Sequence, residues 1–172
     1  MPDSKYLVVG GGMTADAACR GIRDHDSEGS IALVGEEAHP PYSRPPLTKA
    51  LWQGKGEETV WRGTADLGVD LHLGRRIVEL DLDGRRAIDD RGETYGYERL
   101  LLATGGRPRR LPSGNGDVVY FRTLDDYRHL HAAAREGTRF AFRPTALLPA
   151  SDKSLPRALR EPHAARTLSP AH

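Results

Sequence analysis

Apolar and polar residues along the chain divide it into short blocks with two different periods. "KYLVV" is a nearly continuous apolar run of strand length, and "SIALVG" is a second one. Between them lies "GGGMTADAACRGIRDHD", in which Ala15, Ala18, Cys19 and Ile22 recur at helical spacing and form one apolar face. Strand, tight turn, helix and strand thus follow within about 30 residues, the span of a βαβ unit with two parallel strands. Farther on, "VDLHL", "RIVELD", "RAID", "ETYGY" and "RLLLAT" read as short strands, with "LDG" and "DRGE" as turns. They predict a small antiparallel meander over 70–105 that rejoins the main sheet through "LLLAT". "PPLTKALWQ" predicts a short helix with Pro45 and Pro46 in its first turn and Gly54 as its stop. "TLDDYRHLHAAAREG" predicts another, capped by Thr123 or Asp125 and ended by Gly137, and "TRFAF" predicts a further strand. The expected fold class is α/β: a Rossmann-like parallel sheet with a small antiparallel meander and an irregular C-terminal tail.

The tail departs sharply in composition. Residues 143–172 hold five prolines and no glycine, although the preceding 142 residues hold all 19. Valine, isoleucine and aromatic residues are also missing there, so a disordered tail is expected. The expected division is 1–110, 111–142 and 143–172.

Charge changes this picture little. Lysine and arginine number 25 against 24 acidic residues, so no basic excess points to nucleic acid. No apolar run reaches the roughly 20 residues that a membrane helix needs. The N-terminus shows no signal-peptide pattern, and Cys19 is the only cysteine. A cytoplasmic protein without disulfides is expected, with Cys19 packed in a core. The histidines form no cluster with catalytic or metal-ligand spacing; His129 and His131, two apart on a helix, point to different faces.

Candidate chemistry begins at the first turn. Gly10-x-Gly12-x-x-Ala15 follows a strand and opens a helix. Gly10 permits the tight turn, Gly12 leaves no side chain before an approaching phosphate, and Ala15 lets helix and strand lie close. The N–H groups of the helix's first turn and its dipole then favour a diphosphate. Glu36, 21 residues past Ala15 at the end of the second strand, can accept hydrogen bonds from a ribose diol. This turn alone leaves NAD and FAD open.

"HPPYSRPPLTK" bears on that choice. Four prolines hold Arg44 and Lys49 on a segment with little conformational entropy to lose. Reduced flavin carries negative charge, and one cation at ~4 Å contributes about 4 kcal/mol at an effective dielectric near 20, before desolvation. A stiff cationic arm therefore suits a flavin ring.

The order of glycine turn, Glu36-Glu37, "PPYSRPPLTK", meander and "LLLATGGRPR" resembles the FAD-containing, NAD(P)H-dependent reductases that include ferredoxin reductases of oxygenase systems and apoptosis-inducing factor. The resemblance covers about residues 4–142. It implies that Gly10, Gly11, Gly12, Met13 and Thr14 form the pyrophosphate loop and that Glu36, with Glu37 beside it, binds the adenosine ribose. It implies that Arg44 and Lys49 face the flavin, Lys49 as the catalytic residue near the edge where hydride arrives. Ile77 and Arg122 become further FAD contacts, and Thr104 and Gly105 return towards the cofactor. The implied activity passes electrons from NAD(P)H through FAD to a small ferredoxin-like iron–sulfur protein. The single cysteine separates the chain from disulfide reductases of similar fold, which carry a reactive pair. The family's second glycine fingerprint cannot occur after Gly137, so a truncated or frame-shifted reductase lacking the NAD domain is expected, with FAD affinity and stability reduced. The competing readings are a non-catalytic remnant that binds FAD or ADP, and a single Rossmann module that uses NAD(H).

Overall fold

The computed structural model describes residues 3–108, 118–134 and 139. The strand expected at "TRFAF", the helix stop at Gly137 and the tail from Arg143 lie outside the described residues. Within them the elements run β1 (Ser4–Val9), α1 (Met13–His25), β2 (Ile31–Gly35), β3 (Val69–Leu73), β4 (Ile77–Asp81), β5 (Arg86–Asp89), β6 (Thr94–Leu102) and α2 (Leu124–Ala133). Four 3₁₀ turns, at Pro45–Thr48, Ala50–Gln53, Glu57–Val60 and Thr64–Leu67, fill the stretch between β2 and β3. The described residues fall into two compact units, one of residues 3–43 and 57–106, the other of 44–56 with the described residues from Arg107 on.

The first unit is a six-stranded sheet in the order β3-β2-β1-β6-β5-β4. β1 and β2 pair in parallel from Tyr6 opposite Ile31 to Val9 opposite Val34, as the βαβ pattern predicts. Both are covered on two faces, which explains their unbroken apolar runs. Val8, Ile31, Leu33 and Val69 pack with Ala15 and Cys19 of α1. Leu7, Val9, Ala32 and Val34 pack on the other side with Ala87, Tyr95 and Tyr97 of the meander.

Two expectations for the strands are corrected. "VDLHL" does not open the meander; β3 pairs in parallel with β2, Ile31 opposite Val69, and extends the main sheet. "ETYGY" and "RLLLAT" are not two strands but the single nine-residue β6. Its first part pairs antiparallel with β5, and it pairs in parallel with β1 from Tyr97 to Leu102, so one strand belongs to both the meander and the parallel sheet.

In the second unit the expected helix "PPLTKALWQ" is two 3₁₀ turns broken at Lys49. The cause is local. The Leu47 carbonyl, which an α-helix would pair with the amide four residues on, accepts the Trp52 indole N–H at 2.8 Å. Pro45 and Pro46 supply no amides, and so short a segment closes with 3₁₀ bonds. Gly54 ends it in the left-handed region, as predicted. α2 is capped by Thr123, whose side chain accepts the Asp126 amide while the Asp126 carboxylate accepts the Thr123 amide, a reciprocal cap. Trp52 meets Tyr127 edge-on with ring centroids 5.6 Å apart, and Leu47, Leu51, Leu124 and Leu130 are buried.

Candidate functional site: the glycine turn and the ends of the parallel strands

β1 ends at Val9 and the chain turns at once into α1. Gly10 has φ +127°, and a Cβ there would lie 2.2 Å from the Ala103 carbonyl oxygen. Only glycine fits both the backbone angle and the gap. A Cβ on Gly11 would sit 3.4 Å from the Gly35 Cα, and one on Gly35 would sit 3.1 Å from the Gly11 Cα. The turn after β1 and the end of β2 thus approach backbone to backbone, which leaves peptide groups rather than side chains at the strand ends.

Gly12 is the N-cap residue of α1 and offers no side-chain cap to its amides. Met13 and Thr14 follow as the exposed first helical residues, and Ala15 is fully buried against the sheet. A helix start of this kind is built to receive an anion through its backbone. Glu36, exposed, directly follows β2. The Glu37 carboxylate accepts the hydroxyl of buried Tyr42 at 2.5 Å, and its carbonyl accepts the Gly74 amide at 3.0 Å. The Arg75 amide donates to the Gly35 carbonyl at 2.9 Å, which brings the segment leading to Ile77 beside the end of β2. Ile77, half-buried, is the first residue of β4.

The structure therefore gathers Gly10, Gly11, Gly12, Met13, Thr14, Glu36, Glu37 and the approach to Ile77 in the first unit. Thr104 and Gly105 follow Ala103, against which Gly10 packs. Arg44, Lys49 and Arg122 belong to the second unit. There the Arg44 guanidinium donates to the Arg122 carbonyl at 2.8 Å, and Lys49 links the two 3₁₀ turns.

Two buried carboxylates were not anticipated. Asp16 has no exposed surface. It accepts Arg62 Nε at 2.6 Å, Thr64 Oγ1 at 2.7 Å and Arg20 Nε at 3.0 Å. Burial works to raise its pKa, but the bonds from Arg20, Thr64 and Arg62 outweigh it and hold the carboxyl below its ordinary value. The signal was present in the sequence: Asp16 sits beside Ala15 and three residues before Cys19, on the apolar side of α1. Asp89 accepts the amides of Arg91 and Glu93, the Tyr95 hydroxyl at 3.0 Å and Arg75 Nη1 at 2.9 Å. Burial again opposes ionisation, yet these donors bring its pKa down to about 2. Because Arg75 also bonds to Gly35 through its amide, Asp89 braces the end of β2 from the meander side. Cys19 is buried and unpaired, and burial with the nearby Asp16 charge pushes its thiol up to about 11. Among the described residues no helix is long and apolar enough to cross a membrane.

The family profile described as pyridine nucleotide-disulphide oxidoreductase matches residues 4–143. The chain belongs to that family. Its relatives within the family include the ferredoxin–NAD(+) reductase component of the biphenyl dioxygenase system of Paraburkholderia xenovorans, 38% identical over 125 residues, covering 69% of this chain and 30% of that protein. Putidaredoxin reductase of Pseudomonas putida is 36% identical over 135 residues, covering 72% and 32%. A solved covalent complex of putidaredoxin reductase with putidaredoxin superposes with a TM-score of 0.70 at 32% identity, over 77% of this chain and 34% of that one. The chain spans about a third of the length of the curated relatives it matches. The α/β, Rossmann-like architecture of this chain is that of the solved ferredoxin reductases.

Proposed function

We propose that the protein is an FAD-dependent oxidoreductase of ferredoxin-reductase type, moving electrons from NAD(P)H to a small iron–sulfur protein. The observation that carries the reading is the backbone approach of Gly10, Gly11 and Gly35 beneath an α1 start that lacks a side-chain cap. That arrangement fits the adenosine diphosphate half of FAD. Gly10, Gly11, Gly12, Met13 and Thr14 offer backbone amides to the diphosphate, and α1 adds its dipole. Glu36 accepts hydrogen bonds from the ribose hydroxyls, and Glu37, fixed by Tyr42, borders it. Ile77 and Arg122 are proposed as further contacts. FAD, when bound, supplies the redox chemistry that links a hydride donor to a one-electron acceptor. Arg44 and Lys49 are proposed to stabilise negative charge on the flavin, and Lys49 is the residue assigned to catalysis.

The proposed location is the cytoplasm, which suits a buried, unpaired Cys19. A second reading, binding of FAD or ADP without turnover, is favoured by the single glycine-rich strand–turn–helix among the described residues, since hydride transfer from a nicotinamide involves two nucleotides. Purification followed by visible spectroscopy tests the shared part: bound flavin absorbance is expected after incubation with FAD. NADH-driven reduction of a dye acceptor then separates the two. Turnover that disappears in Lys49→Ala supports the enzyme, whereas flavin binding without turnover leaves the binding reading. A folded protein that takes up no flavin contradicts both.

A further inference from the structure

We infer that Asp16 and Arg62 are a charge-compensated positioning pair for the diphosphate end of the site, an inference that rests on the nucleotide reading above. Asp16 is the fourth residue of α1, and its amide closes the first helical turn on the Gly12 carbonyl at 3.1 Å. A carboxylate so near the helix start favours the helix dipole but opposes an anion bound to the same amides. Its complete burial leaves little water to screen that opposition.

The structure answers the charge with two guanidinium groups. Arg20, one turn on, contributes Nε at 3.0 Å and Nη2 at 3.2 Å. Arg62 comes from outside the helix and makes the shorter bond, 2.6 Å from Nε to Oδ2. It is itself held in place. Its amide donates to the Pro41 carbonyl at 3.3 Å, its Nη1 reaches the Ser43 hydroxyl at 3.4 Å, and its carbonyl accepts from Arg20. The Ser43 amide bonds to the Val60 carbonyl at 2.8 Å, and Tyr42 bridges to Trp61. Asp16 thus fastens both the chain leaving at 41–43 and the chain returning at 60–64 to the start of α1. Arg62 removes the electrostatic cost that this fastening imposes on a bound diphosphate. Neither residue touches the nucleotide in this account; each acts through α1.

The pair predicts effects of opposite sign, which a merely structural contact does not. ADP binding to the full-length chain, measured by calorimetry, is the readout, with circular dichroism to establish folding. Arg62→Met leaves the Asp16 charge less compensated and is expected to weaken ADP about tenfold. Arg62→Lys keeps the cation and is expected to stay within about threefold of wild type. Asp16→Asn lowers thermal stability but is expected to tighten ADP binding, by up to about threefold. The Asp16→Asn/Arg62→Met double variant is expected to return to within about threefold of wild type. Weakening by Asp16→Asn as large as that by Arg62→Met overturns the inference, as does a double variant no better than Arg62→Met. If Arg62→Met does not fold, the sign of the Asp16→Asn effect still decides. A folded wild type that binds neither ADP nor FAD overturns the nucleotide reading and this inference with it; a wild type that binds ADP while both single variants weaken it overturns the inference alone.

Discussion

Gly10 in the first unit and Gly54 in the second both have positive φ, yet their surroundings are opposite. A Cβ on Gly10 would meet the Ala103 carbonyl at 2.2 Å, whereas nothing lies within 4 Å of one on Gly54. The contrast extends to the units around them. The first brings its candidate residues together through close backbone approach, with Gly11 against Gly35 and a helix start that carries no side-chain cap. The second is held by side chains: the Trp52 indole on the Leu47 carbonyl, Tyr127 edge-on to Trp52, and Arg44 on the Arg122 carbonyl. A site made of peptide groups tolerates no added atoms. A segment made of side chains tolerates local change and loses stability by degrees.

Substitution at the crowded turn is the strongest way to break this comparison. Gly10→Ala combines a left-handed φ with a backbone clash and is expected to cost about 4 kcal/mol and to abolish nucleotide binding, as measured by urea unfolding and ADP titration. Trp52→Ala should cost about 2 kcal/mol. Hydrogen exchange should show faster opening of α2, with the amides of β1 and β2 still protected. A variant that loosens the parallel strands equally would erase the distinction between the units.

The bracing of the strand ends gives a pH test. The native Asp89 pKa of about 2 lies below the ordinary carboxylate value near 4, so its ionised contacts stabilise the fold above about pH 4. That contribution is lost as pH falls from about 4 to about 2. Asp89→Asn should therefore show a shallower dependence of the urea midpoint on pH over that window than wild type. The smallest effect belongs to Gly54→Ala, expected to cost about 1 kcal/mol from its left-handed φ alone. A Gly54→Ala cost equal to that of Gly10→Ala would show that backbone angle, not crowding, governs both.

Much of the first unit was legible in the sequence because its signals are local. Apolar runs bounded by glycine marked β1 and β2, and the spacing of Gly10, Gly12 and Ala15 marked the turn. What was missed depends on pairing between distant residues. "VDLHL" has the alternation of a half-buried strand, and nothing within it distinguishes a parallel neighbour from an antiparallel one. Only Glu98 separates "ETYGY" from "RLLLAT", which were read as two strands, but the strand runs on because it changes neighbours from β5 to β1. The arm is the exception: it was read as one helix from Pro45, Pro46 and Gly54, and the side-chain bond that breaks it, from Trp52 to the Leu47 carbonyl, is local but has no signature in the apolar pattern. Asp16 was legible as a carboxylate on an apolar face. Its partners Arg62 and Thr64, 46 and 48 residues away, were not. Gly35 looked like a strand end, and its approach to Gly11 emerges only when β1 and β2 are set side by side.

The central claim is that the glycine turn reads the adenosine diphosphate half of a flavin nucleotide. Competition among FAD, ADP and FMN for the full-length chain tests it most directly. The account predicts that ADP binds saturably and displaces FAD, while FMN, which lacks the adenosine diphosphate half, does not. Binding of FMN as tight as that of FAD, with no effect of ADP, would contradict it.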